Sequence, residues 1–477
     1  MFKLFNNKRF WKTALTLAVP VALQNMLTSS FTLADTLLVS RLGDVTLSSV
    51  GMVGQWGWLM TMVLVGFCSG TTVFVSQFWG IKDTRRIRST CGIALVSSLA
   101  VSGIFTIISL VIPQYVLRIF NSDPAIIAEG SKYLLVVAWS YFAVAITNVL
   151  STVLRSTEEV KLPMYVSAFT TVLNIFLDYC MIFGKCGFPE MGIKGAALAT
   201  SISAWAGVAV IVIVSLIRKN ILIAPLREMF DFRKEEVKAF YKKTAPVVFN
   251  EGMWGAGTFT FNVIYANMGY EYFAAVTILR SFENIAFIFF IGLCSACSVM
   301  IGKSIGMGRI DDGVKDSKRF AFLVPSIAVA VAIVIIIFRN QLVGIFNMGN
   351  NISEVTLQSA VIIMTIYACE LPIRMIPYIQ IVGIFRSGGD TVTGVKYDLS
   401  SLWIVSLPAT LIAVYVIKVP FVVAFAIMYI FEDYLKSFLC LRHYRSKKWL
   451  KPVTEEGRQA LEKYSFSKAG KNEGEAK

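Results

Sequence analysis

The sequence is poor in histidine and in charge. Its single histidine is His443, which excludes histidine proton relays, His-rich metal sites and the HExxH pattern of helical metalloproteases. Only 16% of residues are charged and 56% are hydrophobic, whereas soluble domains carry about a quarter charged residues. A soluble fold is therefore excluded. The eight cysteines are scattered and give no disulfide framework. Cys294-x-x-Cys297 lies in an apolar stretch with no second pair, which reads as small apolar packing rather than a metal or redox centre. There is no selectivity-filter repeat, so nothing marks a channel, and no enzyme activity is expected.

What the chain has instead is long apolar runs, such as "IALVSSLAVSGIFTIISLVI" and "FAFLVPSIAVAVAIVIIIF". Each is about 20 residues, enough to cross roughly 30 Å of hydrocarbon as a helix. The runs are continuous rather than alternating, which argues against a β-barrel. Twelve spans are expected, near 13–40, 46–78, 89–112, 130–154, 162–184, 192–217, 244–266, 272–304, 317–339, 355–385, 391–414 and 420–441. The first lacks a small-residue cleavage site, so no cleavable signal is expected. The fold class is an all-α polytopic membrane protein. Its expected parts are an N-tail (1–12), an N-lobe of helices 1–6 (13–217), an inter-lobe loop (218–243), a C-lobe of helices 7–12 (244–441) and a tail (442–477).

A net charge of +15 does not imply nucleic acid here. Basic residues collect in cytoplasmic loops. With the N-terminus inside, the inside segments hold 35 of the 45 basic residues, so both ends are expected to be cytoplasmic. The N-terminal "MFKLFNNKRFWK" interleaves aromatic and basic residues as an interfacial anchor does. The terminal "SFSKAGKNEGEAK" is polar and expected to be disordered.

The two halves repeat. An offset of 226 pairs Pro20 with Pro246, Gly43 with Gly269, Gly66 with Gly292, Cys68-Ser69 with Cys294-Ser295, and Gly80 with Gly306, all without a gap. Arg155-Ser156 matches Arg386-Ser387 at offset 231. Proline and glycine fix backbone geometry, so their agreement carries weight. Six spans per half make the halves parallel repeats about a pseudo-two-fold axis along the membrane normal. Transporters built this way place substrate between halves and rock one against the other.

Ionisable groups inside spans cost at least ~2.5 kcal/mol each on insertion scales and face a bundle interior or a cavity. Arg280 with Glu283, and Glu370 with Arg374, have the spacing of within-helix pairs. Glu432, Asp433 and Lys436 read as wet residues at a cytoplasmic helix end. Asp35 in span 1 and Asp178 in span 5 have no basic neighbour in sequence, and their depths agree. Asn174 is one turn from Asp178 on the same face, and the depth of Thr200 in span 6 is compatible. This set offers hard oxygen ligands for Na⁺, or carboxylates to share a proton. A purely structural hydrogen-bonded tie among spans 1, 5 and 6 is the alternative. The repeat partner of Asp35 is Phe261, so the scaffold does not require the acid. Glu251, by contrast, has Asn25 as its partner. Pro20 and Pro246 precede these acids and are candidate helix kinks.

At these residues the sequence resembles the multidrug and toxic compound extrusion (MATE) transporters, bacterial members of the NorM and DinF type. The matching pieces are "ADTLLVSRLG", "GFCSGTTVFVSQFWG", "VLRSTEEVKLPMYVSAFTTVLNIFLDYCMIFG", "GIKGAALATSIS", "APVVFNEGMW", "GLCSACSVMIGKSIGMG" and "IFRSGGDT". The resemblance implies a bacterial inner-membrane antiporter that expels amphipathic, often cationic compounds in exchange for H⁺ or Na⁺, with no cofactor. It maps the N-lobe cation site onto Asp35, Asn174, Asp178 and Thr200, and the C-lobe acid onto Glu251. Glu370, Arg374 and Glu283 are further candidates. The chain departs from the family at Met375, where NorM-like members carry aspartate, and at "RSTEE", which replaces an R-x-x-G turn. Expected partners are small organic substrates and the bilayer, the chain acting as a monomer. A flippase of lipid-linked oligosaccharide is the alternative; it calls for a basic central cavity, whereas few basic residues lie within spans.

Overall fold

The computed structural model describes residues 7–222, 226–346 and 352–474. Among them the regular elements are all helices, with one isolated β-bridge between Gly389 and Leu450. The helices are α1 (Lys8–Ser40), α2 (Asp44–Gly80), α3 (Thr84–Val111), α4 (Pro113–Arg118), α5 (Pro124–Val137), α6 (Ser140–Ser156), α7 (Lys161–Ile182) and α8 (Ile193–Arg218). They continue with α9 (Leu226–Phe230), α10 (Lys234–Met268), α11 (Tyr270–Gly306), α12 (Ile310–Phe346), α13 (Glu354–Phe385), α14 (Thr391–Ile417), α15 (421–446) and α16 (Glu455–Gly474).

Nine helices among the described residues are long and apolar enough to cross a membrane: α1, α2, α3, α7, α8, α11, α12, α13 and α14. The fourth expected span is the pair α5 and α6, bent by 51°. The other two expected spans are α10, which carries Asn250, Glu251 and Asn262 among its apolar residues, and α15. The repeated glycines mark the same turn twice. Gly43 before α2 has φ +102° and Gly269 before α11 has φ +150°, conformations that side-chain-bearing residues rarely adopt. Some helix starts are capped by side chains, Asp83 on the amide of Arg86 and Ser353 on that of Thr356 among them, which satisfies otherwise orphaned donors.

The chain divides into two compact units, Pro20–Val248 and Met1–Val19 with Phe249–Lys477. The first has a core of Met60, Leu64, Leu134, Ala138, Tyr141, Ile182 and Ala196. The second is built around large aromatics, including Tyr265, Phe290, Phe320, Tyr367, Phe385 and Phe425. In it α13, α14 and α15 each contain stretches of π-helix: Ile379–Phe385, Ser400–Ser406 with Ile412–Ile417, and Ile430–Tyr434.

Two expectations at the chain ends are corrected. Phe10 is not a free interfacial anchor. It is buried at 2% exposure, edge-on to Phe320 at 5.2 Å with Arg319 over its ring at 5.0 Å, because the start of α1 belongs to the second unit's packing; Met1 to Asn6 lie outside the described residues. The tail expected to be disordered is part of helix α16 up to Gly474. α16 is tied down just before its start by Thr454, whose hydroxyl donates to the carbonyl of Gly306 at 2.9 Å, and midway by Lys447 on the Tyr464 hydroxyl at 2.7 Å. The last three residues lie outside the described ones.

Candidate functional site

The first unit gathers four of the expected residues. α7 carries Asn174 and Asp178 one turn apart, both with 0% exposure. Asp35 on α1 and Thr200 on α8 are half-buried. Small residues bring α7 and α8 together: a Cβ added at Gly195 would lie 2.6 Å from the carbonyl oxygen of Met181, and one at Gly207 would lie 2.8 Å from Cγ2 of Thr170. Leu177, Met181 and Ala199 seal the seam.

A fifth member comes from α5. Tyr133 is buried at 6%; its phenol lies beside the Thr200 hydroxyl and within the fields of Asp35 and Asp178, which also act on one another. Asp35 Oδ1, both carboxylate oxygens of Asp178, both amide atoms of Asn174 and Thr200 Oγ1 are buried without a hydrogen-bond partner. Buried polar atoms are ordinarily paired, and two neighbouring carboxylates without a counter-ion do not readily both stay ionised. Chemically, such a cluster can take up a proton or ligate a small hard cation through oxygen. Among the described residues no group of three or more His, Cys, Asp and Glu could hold a metal ion; the other oxygens here belong to an amide, a hydroxyl and a phenol.

In the second unit Glu251 does not stand alone. Arg386 Nη2 donates to its carboxylate at 2.9 Å. The repeat-related arginine of the first unit, Arg155, reaches Gln24 at 3.4 Å, the residue beside Glu251's repeat partner. One repeated arginine thus serves a charged partner in one unit and an amide in the other. Pro20 and Pro246 both lie inside helices, α1 and α10.

Three expectations are overturned. The within-helix pairs Arg280–Glu283 and Glu370–Arg374 give way to a bond between helices: Arg374 Nη1 on α13 meets Glu283 on α11 at 3.0 Å. The ring faces of Phe287 and Tyr429 also flank Arg374, at 5.4 and 5.2 Å, which fixes its direction away from Glu370. Glu370 instead accepts a hydrogen bond from Tyr434 at 3.4 Å. Nor are Asp433 and Lys436 wet: they are 1% and 7% exposed.

The family described as MatE matches residues 20–180 and 246–412. The chain belongs to this family. The second match starts 226 residues after the first, the offset that pairs Pro20 with Pro246. The "Probable multidrug resistance protein NorM" of Thermotoga maritima is 27% identical over 456 residues, covering 92% of this chain and 93% of that protein. The "Uncharacterized transporter YisQ" of Bacillus subtilis is 25% identical over 422 residues, covering 87% and 90%. The crystal structure of the Vibrio cholerae MATE transporter VcmN in its bent form has a TM-score of 0.82 at 18% identity, covering 93% of this chain and 99% of that one. A transporter of the MOP superfamily from Pyrococcus furiosus has a TM-score of 0.81 at 18% identity, covering 93% and 97%. Identities this low carry the fold alone.

In this MatE chain, sequence reasoning missed Tyr133, Arg386 as the partner of Glu251, and Asp398. Tyr133 sits in "KYLLVVAW" like any interfacial aromatic, and no spacing rule links it to Asp178. Asp398 lies inside an expected span, so a stricter count of acids within spans finds it.

Proposed function

We propose that this MatE protein is a secondary active multidrug efflux antiporter, exporting amphipathic, often cationic organic compounds in exchange for H⁺ or Na⁺ by alternating access. Its setting is a bacterial inner membrane, with both termini cytoplasmic. The observation that carries the coupling role is the set of unpartnered buried oxygens on Asp35, Asn174, Asp178 and Thr200. A bound proton or sodium ion stabilises this set by neutralising one of two neighbouring carboxylates; its release restores the repulsion. Tyr133 adds a phenol that can donate to whichever carboxylate is charged.

Because Asp35 is on α1, downstream of Pro20, and its partners are on α7 and α8, cation occupancy ties α1 to those helices. A ligand shifts a conformational equilibrium only by its differential affinity for the two states. The cluster supplies such a difference if its geometry holds in one state of α1 and opens in the other. The test is transport of a cationic dye in proteoliposomes under imposed H⁺ or Na⁺ gradients. Gradient-driven transport that is lost in Asp35→Asn, with expression and folding retained, supports the reading; unchanged transport by that variant refutes the coupling role.

A further inference from the structure

The second unit contains a buried charge cluster that the function above does not use. Lys436 on α15 is its hub. Its ammonium meets Asp398 of α14 at 3.0 Å, Glu432 at 2.8 Å and Asp433 at 3.7 Å. Asn250 of α10 donates to the other oxygen of Asp398 at 2.9 Å. Three carboxylates thus share one ammonium. Two of them are at bonding distance and the third is not.

That third group is Asp433. Its side chain is 2% exposed and its Oδ1 has no hydrogen-bond partner. On the α13 side it faces Glu370 and Arg374, and Arg374 is already bonded to Glu283 of α11. Two more polar atoms that face this interior, Glu370 Oε2 and the hydroxyl of Tyr367, are also buried without a partner. Arg386, bonded to Glu251, also acts on Asp398; counting Asp398, Glu432, Asp433, Glu370, Glu283 and Glu251 against Lys436, Arg374 and Arg386, carboxylates exceed cations. Asp433 itself lies in the π-helical turn Ile430–Tyr434, and such turns recur at functional sites.

From this we infer that the second unit has a proton-binding site of its own, centred on the Asp433 carboxylate and held by Lys436, Glu432 and Asp398. Protonation turns Asp433 from carboxylate to carboxylic acid. It removes one negative charge from the excess and leaves the bonds of Lys436 to Asp398 and Glu432 in place. The fixed ammonium also selects the ligand: it repels a metal cation beside the same carboxylates, whereas a proton adds to the free oxygen without displacing it. The site shares no residue with the Asp35 cluster.

The experiment is an infrared titration of the full-length protein in lipid bilayers, following the carboxylic-acid carbonyl band. An Asp35→Asn/Asp178→Asn background silences the other cluster. The expected result is a band at neutral pH in that background which disappears when Asp433→Asn is added. Lys436→Gln removes the nearest positive charge and should move the band's titration midpoint up by roughly 1–3 pH units. Absence of the band in the background, its persistence in Asp433→Asn, or its loss on adding Na⁺ at fixed pH overturns the proposal. Where Asp433→Asn fails to fold, the Lys436→Gln midpoint decides, and an unmoved midpoint overturns it. None of these readings needs drug transport, so failure of the efflux function and failure of this site are distinguishable.

Discussion

Gly195→Ala tests whether the approach of α7 and α8 builds the Asp35 cluster. The added Cβ would meet the backbone of Met181, its oxygen at 2.6 Å and its carbon at 2.7 Å. Ordinary contact begins at 3.4 Å, so about 0.8 Å must come from displacement of backbone, because the Met181 carbonyl at the end of α7 is held by the Met191 amide, which donates to it at 2.9 Å. Overpacking of this kind costs about 1–3 kcal/mol. A binding constellation tolerates only about 0.5 Å of misplacement, so the shift that admits the methyl also carries Thr200 off the Asp178 face. The control is Gly54→Ala on α2, where a Cβ meets nothing within 4 Å. Dye efflux from cells, normalised to membrane expression, and thermal melting of the purified protein are the two assays. Efflux should fall and melting should drop in Gly195→Ala, while Gly54→Ala matches the parent in both. If Gly195→Ala behaves like Gly54→Ala, the close seam does not shape the site and the reasoning fails.

Arg386→Ala leaves the half-buried Glu251 without this arginine, and removing one member of a fully buried pair costs about 3–5 kcal/mol, an upper bound here; melting should fall and recover in part in Arg386→Ala/Glu251→Gln, since the second change removes the stranded charge. The third case lies outside the spans. Burial alone would push Asp390 up, but hydrogen bonds from His443 at 2.8 Å and Lys451 at 2.9 Å prevail and hold its carboxyl at about 2, below the ordinary 3.8. A lowered folded-state value adds stability above the unfolded one and loses it as pH falls from about 4 through 2; the term is roughly 2 kcal/mol. Melting curves of Asp390→Asn across that window should be flatter than the parent's, and equal slopes would remove the ion pair from the account.

The expensive residues were the legible ones. Asp35 and Asp178 stood out because a carboxylate in an apolar run is costly wherever it points, and their depth could be counted along straight spans. The turns were legible at Gly43 and Gly269 because only glycine adopts their backbone angles readily. Partner choice was not legible. Counting i, i+3 and i, i+4 sees one helix at a time, so Glu283 was given to Arg280 and Arg374 to Glu370, whereas the chain joins Arg374 to Glu283 between helices. Helix-end position likewise suggested that Asp433 and Lys436 are wet, because burial there depends on what the neighbouring helices cover.

By itself, then, the sequence determined that the chain is a helical membrane protein of two related halves, and which residues had to be useful or paired. Those properties follow from local terms: transfer cost, helical length and backbone permission. Tertiary structure decided who meets whom. It added Tyr133 to the Asp35 cluster, gave Glu251 its arginine and tied the tail to the turn after α11. Each of these joins residues far apart in the chain, where packing alone brings them into reach.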